Sequence, residues 1–175
     1  MSTIGFDTSN YTTSTAWTDG KTDINVRQIL YVKDGERGIR QSDGVFQHMK
    51  LMPVMYEKLS EQIDFKDVKA VGVSTRPRCV EGSYMPVFLA GEGYAKVVAN
   101  TLGVPLYEFS HQDGHIMAGI YSSGSFELLE NDFISVHLSG GTTEILKSRY
   151  NGFNFDNEII GGSKDISAGQ FIDRV

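Results

Sequence analysis

Two strand–turn–strand segments, one towards each end of the chain, constrain the fold more than any other feature of the sequence. Residues 3–7 are predicted to form a first strand that returns over residues 13–18, and the turn between them begins with Asp7, Thr8 and Ser9. An alternating strand over residues 133–138 runs into Ser139-Gly140-Gly141-Thr142-Thr143 and a second return strand. Hydroxyl and backbone N–H groups in such turns suit a phosphate, although the same residues also make ordinary hairpins. Each turn is therefore a candidate phosphate loop with an ordinary hairpin as the alternative.

The segment that joins the two hairpins alternates strands and helices. A third strand near residues 24–32 follows a turn at Asp19-Gly20, and three successive strands predict an antiparallel edge on a mixed sheet. A helix is predicted after Ser42 or Asp43, either of which would cap it, and Pro53 should kink or divide it. The other predicted elements are a strand at 68–74, a helix at 86–102 ended by Gly103, a buried strand at 104–109, a strand at 158–160 and helical character over 166–175.

The clearest chemical signal is a pair of histidines, His111 and His115, directly after the predicted strand at 104–109. On a helix this spacing places both imidazoles on one face, where they can hold one metal ion from two sides. A solvated helix face is the alternative for such a pair. The position of the pair directly after a strand favours the interpretation as metal ligands, because open α/β sheets bind ligands at strand ends. Catalytic zinc and iron usually take three protein ligands, so we expect a carboxylate as the third.

Other candidate residues give weaker signals. His48 lies in the predicted first long helix and is interpreted as structural or surface, and Cys79 as an inert thiol because it has no CxxC partner. Arg76 and Arg78 flank a proline at the end of the strand at 68–74, which suits an anion or a nucleic-acid backbone but equally a solvated surface.

Charge and composition exclude several functional classes. The formal net charge of −6 argues against an autonomous nucleic-acid binder, although it allows a nucleic-acid-modifying enzyme with a local basic patch or a partner subunit. No segment approaches the ~18 consecutive apolar residues of a membrane span. One cysteine and an N-terminus that enters strand-like sequence at once, without a signal-peptide core, predict a cytoplasmic protein. Because the chain stops at Val175 without a helix cap or tail, we expect a fragment.

The order of the motifs resembles a known family. Two hairpin phosphate loops around alternating strands and helices resemble the ribonuclease-H-like α/β fold of actin, heat-shock chaperones and sugar kinases (ASKHA). The ordered motifs resemble the TsaD (Gcp) family, the catalytic subunit that installs threonylcarbamoyl on a tRNA adenosine. They are Asp7-Thr8-Ser9, Arg40-Gln41-Ser42-Asp43 before a helix with His48 and Pro53, His111-x-x-x-His115, Ser139-Gly140-Gly141-Thr142-Thr143, and the run from Asp165 to Asp173. The resemblance covers the whole chain but only about the first half of the length of a family member. It therefore implies an N-terminal lobe with flanking helices over residues 1–175, without the second lobe.

The resemblance implies a mechanism and its ligands. A threonylcarbamoyl-adenylate, or ATP, would lie in a cleft between two lobes, and an iron or zinc ion on His111 and His115 would polarise or position the carbamoyl group for attack by the adenosine amine. By position in the motifs, the adenylate would contact His137, Leu138, Ser139, Gly140 and Gly141, and its sugar Asp173. The family's third metal ligand, an aspartate, belongs to the second lobe. Possible partners are tRNA and a homologous subunit or a second copy of the chain.

Three departures from the family pattern indicate a diverged paralogue. Asn10, Tyr11 and Thr12 replace a cysteine and two acids, Thr142-Thr143 replaces His-Thr, and Arg76-Pro77-Arg78 replaces a Gly-Pro-Gly loop. Carbamoyl transfer is therefore a safer expectation than tRNA specificity, and the isolated chain is expected to be inactive.

Three other functions compete with the transferase. One is a non-catalytic scaffold that dimerises with a homologous partner, which does not need the histidine pair. Another is an ATPase or kinase of the same fold, for which Asp7 suits magnesium–phosphate chemistry but the histidine pair is unexplained. Peptidase activity comes last, because Gln112 stands where a general-base glutamate is needed.

Overall fold

The computed structural model describes residues 1–36, 38–138, 141–172 and 174–175. The chain divides into two compact units, residues 1–112 and 113–175, each with its own sheet and its own hydrophobic core. The boundary falls within the first turn of a helix, so that helix contributes residues to both units. Each unit is described by itself below.

The first unit is built on a five-stranded mixed sheet with the spatial order β3-β2-β1-β4-β5. Its strands are β1 (Ser2–Asp7), β2 (Thr12–Thr18), β3 (Asp23–Ile29), β4 (Val68–Arg76) and β5 (Leu106–Ser110). Strands β1, β2 and β3 pair antiparallel, whereas β4 is parallel to both β1 and β5. The predicted antiparallel edge on a mixed sheet is thus confirmed.

Two long helices pack on this sheet through apolar stripes with helical spacing. In α1 (Gln41–Ser60) the buried residues recur every three or four positions, from Gly44 to Leu59, as expected for a helix with one face on a core. The buried face of α2 (Phe88–Leu102) consists mostly of small residues, which bring its backbone close to the sheet. As predicted, α2 ends at Gly103, whose φ of 66° is the left-handed conformation that glycine adopts most readily.

Pro53 does not divide α1, contrary to one of the two predicted outcomes. Proline has no N–H group, so the carbonyl of Met49, four residues earlier, loses its helical partner. In the structure the hydroxyl of Tyr94 on α2 donates a hydrogen bond to that carbonyl at 3.0 Å. The freed carbonyl is therefore satisfied by the neighbouring helix, and α1 continues for 20 residues as one element.

Two other details of the predictions for this unit are wrong. Neither Ser42 nor Asp43 caps α1, because both lie inside the helix, which begins at Gln41. Arg40 occupies the cap position and makes no side-chain hydrogen bond there. The predicted buried strand at 104–109 is β5, but this strand lies at the sheet edge and Tyr107 and Glu108 are exposed. Edge strands also carry apolar side chains, so an apolar run does not by itself distinguish a buried strand from an edge strand.

The second unit contains a three-stranded antiparallel sheet. It consists of β6 (Phe133–Leu138), β7 (Thr143–Tyr150) and β8 (Phe155–Gly162), in that spatial order. Ile116 and Ile120 of α3 (His111–Ser123) share a core with Leu146 and Phe155 of the sheet. Gly161 and Gly162, predicted to follow a strand, lie within β8. A short helix, α4 (Ala168–Ile172), closes the described chain, and no described helix is long and apolar enough to cross a membrane.

Candidate functional site

The carboxyl ends of three parallel strands meet at one edge of the five-stranded sheet. Asp7 is the last residue of β1, Arg76 the last residue of β4, and Ser110 the last residue of β5, directly before His111. Because β4 lies between β1 and β5, the polar residues at these three ends are neighbours. This is the place in an open α/β sheet where ligands bind.

Asp7 and His111 are joined across 104 residues of sequence. The Nδ1 atom of His111 lies 2.9 Å from Oδ2 of Asp7, while the backbone N–H of Ser9 donates to the other carboxylate oxygen at 2.8 Å. Burial favours the protonated carboxyl, but hydrogen bonding and charge from His111, together with hydrogen bonds from Ser9 and Ser74, outweigh it and lower the pKa of Asp7 to about 2. The carboxyl is therefore ionised at neutral pH.

The ionisation of Asp7 sets the tautomer of His111. An ionised carboxylate only accepts hydrogen bonds, so the proton between the two groups belongs to Nδ1 of the imidazole. A neutral His111 then carries its lone pair on Nε2. The ring also packs against Phe88 of α2, with 6.2 Å between ring centroids, so that both an aromatic contact and a carboxylate orient it.

In the first turn, which is predicted to be a phosphate loop, one side chain packs against α2 and the others lie at the polar end of the sheet. The Thr8 hydroxyl is buried, donates to the Val87 carbonyl at 2.8 Å and accepts from the Gly91 N–H at 3.1 Å. A Cβ on Gly91 would stand 2.8 Å from this oxygen, so glycine is needed for the approach of α2. Thr8 thus fastens α2 to the end of β1, whereas Asp7 and Ser9 remain at the edge.

His48 makes a hydrogen bond to the strand that follows the same turn. It is fully buried in α1, as the structural alternative for this residue predicted, and its Nδ1 forms a 2.7 Å hydrogen bond with the Thr13 hydroxyl. Burial lowers the pKa of His48, and this effect exceeds the opposing influences of the Asn10 backbone and the Asp7 charge. Asn10 has a φ of 33°, a left-handed value for which asparagine is among the best-suited non-glycine residues.

In the second unit, His115 lies beside His137. The two ring centroids are 5.7 Å apart, and His137 on β6 stands opposite Glu144 on β7. Leu138, the next predicted adenylate contact, is 61% exposed, and Gly141 has open space around it. Ser139, Gly140 and Asp173, also predicted as adenylate contacts, lie outside the described residues.

The far side of the second turn is fixed by Thr143. Its hydroxyl accepts a 2.7 Å hydrogen bond from the N–H of Ala168, and its carbonyl accepts one from Ser163 at 3.0 Å. A Cβ on Gly162 would stand 2.8 Å from the same carbonyl oxygen. One threonine therefore connects β7, the end of β8 and the start of α4.

The structure groups the predicted site residues in a way that the sequence did not reveal. Asp7 pairs with His111, and His115 with His137, while α3 carries both metal-site candidates. Within the described ranges, no group of three or more His, Cys, Asp or Glu side chains is arranged to hold a metal ion. No local pattern could have revealed the pairing of Asp7 with His111, because only the strand order β1-β4-β5 brings these residues together.

Comparisons with known proteins agree on one family. The sequence model of the family described as tRNA N6-adenosine threonylcarbamoyltransferase (TsaD) matches residues 36–175. A curated protein of that name from Christiangramia forsetii is 32% identical over 126 residues, which are 71% of this chain and 34% of the relative. One from Pyrobaculum calidifontis is 28% identical over 173 residues, 97% of this chain and 47% of the relative. The chain thus spans about a third to a half of the length of these relatives.

Solved structures confirm the predicted fold class. YeaZ from Pseudomonas aeruginosa, an ASKHA-fold protein, superposes with a TM-score of 0.52 at 11% identity, covering 92% of this chain and 65% of that protein. An uncharacterised protein described as similar to peptidase YeaZ from the same organism gives a TM-score of 0.53 at 10% identity, over 90% and 63% of the two chains. At these identities the likeness establishes the fold alone.

Proposed function

Because this chain belongs to the TsaD family of tRNA N6-adenosine threonylcarbamoyltransferases, we propose that it is the N-terminal part of a metal-dependent carbamoyl transferase. Its donor would be an adenylate and its acceptor an amine, with a tRNA adenosine as the acceptor named by the family description. The chain itself contributes the polar edge of the five-stranded sheet, α3 and the turn after β6.

The single observation that carries the proposal is the hydrogen bond between Asp7 and His111. Metal-binding histidines almost always donate their second ring N–H to a carboxylate, a carbonyl or water, which fixes the tautomer and strengthens the ligand. Asp7 does this for Nδ1 of His111 and thereby leaves the lone pair on Nε2. The residues present therefore fit a metal site.

Two histidines would hold the ion, and each has a distinct setting. His111 is oriented by Asp7 and Phe88, whereas His115 is exposed and lies beside His137. A bound iron or zinc ion would supply Lewis-acid chemistry towards the carbamoyl carbonyl. Among the described residues, no third His, Cys, Asp or Glu side chain completes a metal site with these two histidines.

The proposed adenylate contacts follow the two turns. Ser9 and the backbone of the first turn, next to Asp7, would approach the donor, while Thr8 holds α2 in place. By their position in the family's motifs, His137, Leu138, Ser139, Gly140 and Gly141 are proposed to contact the adenylate, and Asp173 its sugar. An ordered donor next to His111 lowers the entropic barrier to attack by the amine.

Calorimetric titration of the metal-free protein with Zn²⁺ or Fe²⁺ tests the site. We expect one ion to bind, and His111→Ala and His115→Ala each to weaken binding by at least about tenfold because each removes one of two ligands. Asp7→Asn should weaken binding by about 10- to 100-fold while both ligands remain. Cys79→Ala is the control, since it removes the only thiol of the chain. Equal affinity of the wild type and the His111→Ala/His115→Ala double variant would exclude this site.

A second candidate function is a scaffold that pairs with a second copy of this chain. A largely apolar groove runs between α1 and α2, and two of the side chains that line it are exposed, Val54 at 42% and Val97 at 63%. The same two helices carry further exposed apolar side chains: Phe46 65%, Met49 47% and Leu89 52%. An apolar groove with exposed apolar side chains is a feature of protein interfaces. A dimer in light scattering that Val97→Glu converts to a monomer, without loss of metal binding, would show that pairing and metal binding coexist.

A further inference from the structure

We propose that Arg76 forms an oxyanion site at the carboxyl end of β4, which binds the phosphate or carboxylate of the small-molecule substrate. The inference deepens the proposed function, since it assumes that this edge of the sheet receives the substrate. It adds a cationic residue to an edge otherwise defined by Asp7 and His111.

The position of Arg76 is fixed by the sheet. Arg76 is the final residue of β4 and pairs with Ser110, the residue directly before His111. The carbonyl of Pro77, the next residue, accepts a 3.0 Å hydrogen bond from the backbone N–H of Gln112 in the first turn of α3. The chain is therefore held on both sides of the arginine, so that its backbone is as well placed as those of Asp7 and His111.

The guanidinium group is oriented by neutral atoms. Nη1 donates to the Thr75 hydroxyl at 3.1 Å, and Nη2 lies 3.7 Å from the sulfur of Cys79. Among the residues that the structure describes, no carboxylate lies within 4 Å of Arg76. Both oxygens of the nearby Asp7 carboxylate are engaged, one by Ser9 and the other by His111. The charge of Arg76 thus has no ion-pair partner among the described residues.

The chemistry of this arrangement suits an oxyanion. A guanidinium offers five N–H donors in a planar fork, and within the described part of the chain the Arg76 group makes two hydrogen bonds, to Thr75 and Cys79. The remaining donors of a half-exposed arginine match two oxygens of one phosphate or carboxylate, which form the strong bidentate pair. A ligand with such a group would bind beside the Asp7–His111 pair.

The loop after Arg76 is itself closed by hydrogen bonds, which limits how far it can move. The backbone N–H of Arg78 donates to the Ser83 hydroxyl at 3.0 Å, and the N–H of Ser83 donates to the Val80 carbonyl at 3.2 Å. A compact loop beside the arginine keeps the site shaped before the ligand arrives, and this reduces the entropic cost of binding.

Calorimetry of the metal-free protein with AMP, adenosine and N-acetyl-L-threonine tests the site. If the anion is a phosphate, Arg76→Ala should weaken AMP binding by about 10- to 100-fold and leave adenosine unchanged, because a charge-assisted hydrogen bond is lost. If the anion is a carboxylate, N-acetyl-L-threonine should show that loss instead. Arg76→Lys should retain part of the affinity, since lysine keeps the charge but not the fork.

Arg27→Ala is the matched control, because Arg27 is an exposed arginine on β3 at the opposite edge of the same sheet. Equal losses in Arg27→Ala and Arg76→Ala would indicate a general charge effect and overturn the proposal, as would anion binding that Arg76→Ala leaves unchanged. Weakened binding of a single-stranded ribo-oligonucleotide alone would assign the arginine to a macromolecule and also contradict it. Zinc titration of Arg76→Ala separates the proposed metal site from the proposed anion site. Zinc affinity reports on the metal site and anion affinity on Arg76, so failure of one proposal is distinguished from failure of the other.

Discussion

The two sheets of this molecule differ in how their apolar residues are used. In the five-stranded sheet, the apolar residues of the central strands are buried, with Ile4 at 1% and Val71 at 0% exposure. In the three-stranded sheet, an entire apolar row of β6 is open: Ile134 is 58%, Val136 61% and Leu138 61% exposed. An apolar strand in this chain therefore does not by itself indicate a buried one.

The same difference separates the two groups of candidate site residues. Asp7 ends β1, whose side chains Ile4 and Phe6 lie in the core of the first unit, and Asp7 in turn holds His111 by a hydrogen bond; a preorganised ligand pair needs such support. His137 belongs to a sheet whose core, among the described residues, is formed with Ile116 and Ile120 of α3, while the row Ile134, Val136 and Leu138 of the same strand is exposed. We therefore expect substitutions to have their largest effects in the first unit.

The largest expected effect contrasts two isoleucines. Ile4→Ala should lower the free energy of unfolding by about 2–5 kcal/mol, because it empties space in a close-packed core. Ile134→Ala should change it by no more than about 0.5 kcal/mol, because that side chain already contacts solvent. Urea denaturation followed by far-ultraviolet circular dichroism measures both. An equal cost for the two variants would mean that the apolar row of β6 is covered in solution.

A pair of glycines in α2 tests how closely that helix approaches β1. Gly91→Ala should cost about 1–3 kcal/mol, because its Cβ would stand 2.8 Å from the Thr8 hydroxyl oxygen. Gly93→Ala, in open space two residues later, should instead stabilise the protein by about 0.5–1 kcal/mol through its helix propensity. Thermal unfolding distinguishes the two signs. A stabilising Gly91→Ala would show that Thr8 does not fasten α2.

The sequence was sufficient to predict much of the fold. Periodicity and turn chemistry predicted the antiparallel edge, the β4 strand and the end of α2 at Gly103, because these depend on local residue choices. The sequence was not sufficient for features that depend on residues far away along the chain. The Met49 carbonyl, which Pro53 leaves without a helical partner, accepts a hydrogen bond from the hydroxyl of Tyr94, 45 residues further along the chain. The exposure of β5 depends on its place at the sheet edge.

The candidate site shows the same limit. The spacing of the histidine pair and its place directly after a predicted strand were enough to propose His111 and His115 as metal ligands, and that assignment stays a prediction. The pairing of Asp7 with His111 was not, because it follows from the order of strands and not from any local motif. The role of Thr8 in packing was also missed, since a hydroxyl in a polar turn gives no sign of whether it faces a ligand or a helix.

A third prediction examines the repair of α1 at Pro53. Tyr94→Phe should lower the free energy of unfolding by about 0.5–1 kcal/mol, because the Met49 carbonyl loses its donor. In a Pro53→Ala background the helix supplies its own N–H, so Tyr94→Phe should then cost measurably less. A double-mutant cycle in urea gives this coupling directly. Additive effects would show that the tyrosine hydroxyl contributes nothing specific to the proline site.

The smallest expected effect is a pH dependence of stability due to His48. This histidine is buried in the first unit, in contrast to the exposed apolar row of β6 in the second unit. Burial lowers the pKa of His48 below its ordinary value of 6.5 in the folded state only. The unfolded chain therefore binds the proton more readily, and the free energy of unfolding should be greatest above about pH 6.5 and fall as the pH decreases below it. Urea denaturation at a series of pH values from 7.5 to 5 measures this slope, and His48→Gln, which cannot titrate, should flatten it. A slope that persists in His48→Gln would assign the pH dependence to another group.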